Sequence, residues 1–459
     1  MFDLLLILTA VIICTAMWVG YRCSGDALMP LVVFGPMLLY TYVYSPAMLM
    51  YQGELEQFLL DPAQLEYVGM VNLLGVGLFC VGCLSSSRAV LGNLQQGGVL
   101  KQVAVDESTR ARLFIVACIL GMIAVSGFVY MVYSGGGFWE VFSRPKPFLN
   151  SPSGYIGEMP MMAYPAIMLL AITARGRQIR VRHVLLAFFF ASPHLIMASL
   201  GGRRGPAFLI MCILVTSWYV ARNRRPSLRM VVGMVAVAGV LMVFLVSNRK
   251  NIYLGSEREI DTEAFTNRLV LTEASGGQEF IYSSGLILTA EYRDQFYWGL
   301  RYFTLLFVRP IPKQLWPTKY EDLGLEWMVG EPGTGGFTDR EWYEAVGFVP
   351  LRGSAGGFIA DVFVEFWWYG LIGCYLIGRL YGDCWRRSLR SGQLWTMIYV
   401  ELLALSVYLP AQSVGAWLFP AVILTGTTWI IWQRIVVPRQ RAAAASQGSR
   451  RWQSVSAGR

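Results

Sequence analysis

Charge is what this chain has least of. Only 15% of its 459 residues are Asp, Glu, Lys or Arg, and 55% are hydrophobic. Soluble domains carry about 25% charged residues, so the balance argues for a protein of the bilayer. Histidine is nearly missing: His183 flanks a basic loop and His194 follows Pro193 in an apolar run, positions that suit packing or a satisfied hydrogen bond. The eight cysteines all fall outside the long polar segment 248–355, so no disulfide framework is expected there. Cys80 and Cys83 form a CxxC inside an apolar helix and are read as packing residues rather than metal ligands. The first apolar run, "LLLILTAVIICTAMWVG", has Asp3 before it and Arg22 after it, the reverse of a cleavable signal, and is expected to be a retained transmembrane helix.

What is present is a series of apolar runs near the roughly 20 residues that span a hydrocarbon core. Eleven are expected, near 3–20, 28–48, 67–87, 113–133, 156–174, 184–200, 205–221, 230–247, 358–381, 394–411 and 414–433. The sequence thus predicts an all-α, polytopic membrane protein. It divides into an N-terminal bundle over 1–247 with about eight helices, a long external loop over 248–355, C-terminal helices over 356–433 and a basic tail over 434–459.

The net charge of +9 does not indicate nucleic acid, because the arginines are clustered between apolar runs. "RGRQIRVR", "RNRRPSLR", "DCWRRSLR" and the segment with Arg88, Lys101, Arg110 and Arg112 fall on one side of an eleven-span thread, together with the tail. The positive-inside rule makes that side cytoplasmic, with the N-terminus outside and the C-terminus inside. The acidic loop "YQGELEQFLLDPAQLEY", which has no Lys or Arg, then falls outside.

Against that pattern stands "SLGGRRGP". Arg203 and Arg204 occupy the outer tip of a hairpin between two spans of about seventeen residues, flanked by Gly201, Gly202 and Gly205. Charge held near the membrane there is a functional-site hypothesis, since the glycines permit close backbone approach to a ligand. An arginine pair reaching for lipid phosphates is the alternative.

The external loop is too long for a passive connector. Its apolar pieces near 280–290 and 298–308 are too short to span and suit interfacial or re-entrant helices. In "VRPIPKQLWPTK", Pro310, Pro312 and Pro317 predict a stiff, extended path presenting Arg309, Lys313 and Lys319. Fixed cations of this kind suit pyrophosphate, although a proline-rich loop lying on anionic headgroups is also open. Arg352 stands just before the ninth span. Asp361 and Glu365, four residues apart, are expected on one face of that span's outer part. Two roles stay open for them: general base on a hydroxyl, or ion-pair partners that hold the arginines.

The outer "GGRRGP" tip, the long loop with "RPIPKQLWPTK" and the span that follows resemble, over roughly 180–375, the Wzy-type polymerases of bacterial O-antigen and exopolysaccharide repeat units. The resemblance implies a GT-C-like, metal-independent glycosyltransferase of the inner membrane that works on the periplasmic side. Its substrates would be undecaprenyl-pyrophosphate-linked oligosaccharides, and a Wzz-type chain-length co-polymerase would be its partner. The family's arginine roles would fall on Arg203 and Arg204, with Arg309 and Lys313 beside them. The related O-antigen ligases usually carry a catalytic histidine in the long loop, and 248–355 has none. A transporter of lipid-linked substrate would be expected to show internal repeats, which are not seen.

Overall fold

The computed structural model describes residues 1–53, 55, 61–91, 106–143, 157–200, 204–248, 251–255, 260–269, 278–312, 314–325, 335–349, 355–390 and 392–439. Among the described residues the regular structure is entirely helical. Nine helical stretches there are long and apolar enough to cross a membrane, one of them the broken stretch Gly357–Arg390, and two shorter apolar helices occupy Met159–Ala174 and Gly205–Ala221. The protein is an all-α, multi-pass membrane protein.

The chain begins with α1 (Phe2–Ser24), closed by Gly25 in the left-handed conformation. α2 (Pro30–Leu39) runs through a π-helical turn at Tyr40–Tyr44 into α3 (Ser45–Tyr51). Then come α4 (Pro62–Leu91), α5 (Glu107–Ser134), the short α6 (Phe138–Phe142), α7 (Ala163–Ala174), α8 (Val181–Ser199), α9 (Arg204–Ala221) and α10 (Leu228–Ser247). The loop contributes α11 (Thr262–Leu269), α12 (Gln278–Arg293), α13 (Leu300–Phe303), α14 (Lys319–Asp322) and α15 (Asp339–Val346). The described residues after the loop form α16 (Gly357–Phe366), α17 (Gly370–Arg390), α18 (Gln393–Ala404), α19 (Tyr408–Ala411) and α20 (Val414–Ile435). Side-chain caps fix several starts: Asp106 accepts from the Thr109 amide at 3.2 Å, and Ser413 from the Ala416 amide at 3.1 Å.

Burial follows the solvent. α1 buries Phe2, Leu5, Leu6 and Ile13 while exposing Leu4, Ile7, Val11 and Trp18, a pattern suited to lipid rather than water. α4 and α17 cross at close range. A Cβ on Gly82 would overlap the Tyr375 carbonyl, and one on Gly378 the Phe79 carbonyl, so glycine is what lets the two backbones meet. Cys83 is fully buried in this seam, where it packs.

The basic loops gather at one end of the bundle. Arg225 pairs with Asp26 and donates to Ser388, while the Trp385 indole donates to Asp26 at 2.9 Å. Arg175 reaches Asn223, Arg177 pairs with Glu107, and Arg439 lies 3.8 Å from Asp106. These contacts tie the ends of α1, α7, α9, α17 and α20 to the start of α5.

One expected span is built differently. The run 358–381 is not a single helix. α16 stops at Trp367, whose φ of 53° lies in the left-handed region, and the chain folds back so that Gly370 packs on the Val362 carbonyl. Contacts along α4 set the direction: Phe358 meets Phe79, Ile359 meets Gly75 and Phe363 meets Tyr67, so α16 runs against α4. α17 runs with α4, from Trp368 beside Tyr67 to Gly382 beside Cys83. The two form an antiparallel hairpin. The Trp367 indole, donating to Glu291 of α12 at 3.1 Å, secures the turn.

α12 also departs from an interfacial helix, since every residue from Phe280 to Ala290 is buried. Tyr282 stacks on Trp342 of α15 at 5.4 Å, and a Cβ on Gly285 would strike the same indole. The loop is therefore packed into the bundle.

Candidate active site

Away from the basic loops, Arg293 at the end of α12 pairs with Glu341 of α15 at 3.2 Å, and two further arginine–carboxylate clusters involve the loop. The first forms where the loop meets α16. Trp298 and Gly299 both have positive φ, making a tight turn, and the amides of Tyr297 and Trp298 donate to the carbonyls of Val364 and Glu365 at 3.1 and 2.6 Å. This registers Arg301 and Tyr302 against the acidic face of α16. The Arg301 Nη2 donates to Asp361 Oδ1 at 2.8 Å, and its Nε donates to Glu365 Oε1. Tyr302 donates its hydroxyl to Asp361 Oδ2 at 2.9 Å. The amides of Val414 and Gly415, at the start of α20, donate to the same oxygen at 3.0 and 3.3 Å, where the helix dipole also favours negative charge. Glu365 Oε2 accepts from the Gly299 amide at 2.8 Å.

Asp361 and Glu365 do share a face, as their spacing predicts. Glu365 is fully buried, however, and Asp361 nearly so. Their acceptor oxygens are engaged by Arg301, Tyr302 and backbone amides, an arrangement that suits a structural ion pair and not a base awaiting a substrate hydroxyl. Burial pulls the Arg301 guanidinium down, but Asp361 and Glu365 more than offset this and hold it above its ordinary range. The cluster joins the loop, α16 and α20.

The second cluster centres on Arg309. Its backbone follows a π-helical turn at Thr304–Val308 and enters the proline segment. That segment is not extended: the Ile311 amide donates to the Val308 carbonyl, and the Leu315 and Trp316 amides to the Pro312 carbonyl. The turns wrap around Lys319, whose ammonium is buried and donates to the carbonyls of Val308, Arg309 and Ile311 at 2.9, 3.2 and 2.5 Å. Lys319 is thus a brace inside the loop rather than a presented cation, because three converging carbonyls outcompete water for it. The backbone it braces carries Arg309, whose side chain is 49% exposed and lies 5.3 Å from the Phe419 ring centroid and 3.8 Å from Glu158. At 3.8 Å the pair is longer than a hydrogen bond, which leaves the guanidinium fork available to another anion. Burial pushes the Glu158 carboxyl up, and Arg309 draws it partly back.

Gly205 packs so tightly on Tyr408 that a Cβ would lie 2.9 Å from its hydroxyl. Tyr164, on the first turn of α7, lies within electrostatic reach of both Tyr408 and Glu158. Arg203, Lys313 and Arg352 lie outside the described residues, as does the side chain of Arg204.

Sequence reasoning passed over Arg301 and Glu158. The signal for Arg301 was an isolated cation inside the apolar piece 298–308. Glu158, one residue before the Met-Pro run that opens α7, had no periodic or motif signal of its own.

No protein-family model matches the chain, and neither curated proteins nor solved structures give a match.

Proposed function

We propose that this protein is a polymerase of undecaprenyl-pyrophosphate-linked oligosaccharide repeat units, acting on the periplasmic face of a bacterial inner membrane with its N-terminus outside and its C-terminus inside. The observation that carries this proposal is Arg309: a half-exposed guanidinium on a braced loop, beside a carboxyl, at the end away from the basic loops. Arg309 neutralises the pyrophosphate as it leaves. Glu158 takes the proton of the acceptor hydroxyl. The acceptor oxygen bonds to the anomeric carbon of the donor chain, the bond from that carbon to the pyrophosphate oxygen breaks, and its electron pair departs on the pyrophosphate. Arg301, Asp361 and Glu365 hold the loop in place. A chain-length co-polymerase would set how many cycles occur.

The test is complementation of a polymerase-null strain with Arg309→Ala and Glu158→Gln at matched membrane expression, read as a polysaccharide ladder. Loss of one preorganised charge donor typically costs about 10²–10³ in rate, so the ladder is expected to collapse to a single capped unit. Long chains that persist in both variants would overturn the assignment. Chains that form but never reach the lipid core would indicate a ligase, and lipid-linked units retained in the cytoplasmic leaflet a transporter.

A further inference from the structure

On the outside of α5 an apolar groove of 610 Å³ runs from Phe114 through Cys118 and Met122 to Ser126. Four positions at intervals of four lie along one stripe of the helix, so the groove follows it for about 18 Å at 1.5 Å per residue. Its neighbours Ile115 and Ile119 are more than half exposed, so the trough opens toward lipid. Met159 closes one end. That wall depends on Gly127, where any Cβ would overlap Met159. The residue next to the wall is Glu158, which pairs with Arg309. An apolar trough therefore ends at a charged pair whose cation is half open.

We propose that this groove holds the isoprenoid chain of the lipid-linked substrate, with its pyrophosphate at Arg309. The inference rests on the function proposed above and adds where the carrier lies. The chemistry fits at both ends: hydrocarbon along a trough whose wall is apolar up to Ser126, and an anion at the guanidinium. Tryptophan at Cys118 or Met122 would fill the trough without touching Arg309 or Glu158.

The experiment uses the full chain in nanodiscs with a polyprenyl pyrophosphate that carries a diazirine in its first isoprene units. After irradiation, adducts are mapped by mass spectrometry. They are expected within Glu107–Ser134, to fall about tenfold with a tenfold excess of unlabelled polyprenyl pyrophosphate, and to resist the same excess of phosphatidylglycerol. Cys118→Trp and Met122→Trp should lose the adduct and shorten the ladder while expression holds. Equal competition by phosphatidylglycerol would overturn the proposal, since the groove would then be a general lipid seat. Adducts on other helices, with a ladder that still needs Arg309, would overturn the groove and leave the polymerase intact. Adducts on α5 with a ladder indifferent to Arg309 and Glu158 would support the groove and overturn the polymerase.

Discussion

Arg301 and Arg309 stand eight residues apart in one loop, and each faces carboxylate, yet the fold uses them in opposite ways. Arg301 is enclosed by two carboxylates, with a side chain only 16% exposed. Arg309 meets one carboxyl at 3.8 Å and is 49% exposed. A guanidinium whose donors are all directed inward joins secondary structure, whereas one held at arm's length keeps donors for a ligand. Burial and partner count, rather than residue type, separate scaffold from site.

The largest expected effect comes from breaking the enclosed cluster. Arg301→Met strands two buried carboxylates, and losing one partner of a buried pair costs about 3–5 kcal/mol. Folded protein should fall sharply in fluorescence-detected size exclusion from detergent; normal yield and melting temperature would refute the structural role. Arg309→Ala should leave that chromatogram unchanged while the ladder disappears, so that the two variants part on stability.

Lys319→Met tests the link between brace and site. Three carbonyls lose their donor, and each buried unsatisfied group costs about 1–3 kcal/mol where it stays dry. The melting temperature should drop less than for Arg301→Met, with shortened chains as Arg309 loses its fixed backbone. Unaltered chain length would separate Lys319 from function.

A subtler test uses pH. The Glu158 carboxyl sits above the ordinary glutamate value because it is buried. A base must be ionised, so polymerisation in membranes should rise with pH through that raised value and fail below it. A rate already at its plateau in the ordinary carboxylate range would remove Glu158 from the role. The smallest effect is expected for the exposed pair Arg340–Glu344 on α15: Arg340→Ala should change neither melting temperature nor ladder.

Much of the architecture was legible because its causes are local. Apolar runs of sufficient length mark α1, α4, α5, α8, α10 and α20, and the arginine clusters between them share one end of the folded bundle. Arg309 was named from the sequence as a cation on an extended proline path, whereas the folded segment turns around Lys319. The partners were not legible. Asp361 and Glu365 announce a shared helical face, but their guanidinium comes from sixty residues earlier in the chain.

The sequence by itself determined an all-α chain that belongs in a bilayer and which of its loops are basic, since hydrophobicity and charge act residue by residue. Only the tertiary structure decided that 358–381 folds back at Trp367, because a continuous helix and a hairpin of the same apolar residues have the same composition. It also decided that Lys319 turns inward and Arg309 outward. Which cation is enclosed depends on carbonyls and carboxylates that approach through space, and no local pattern records them.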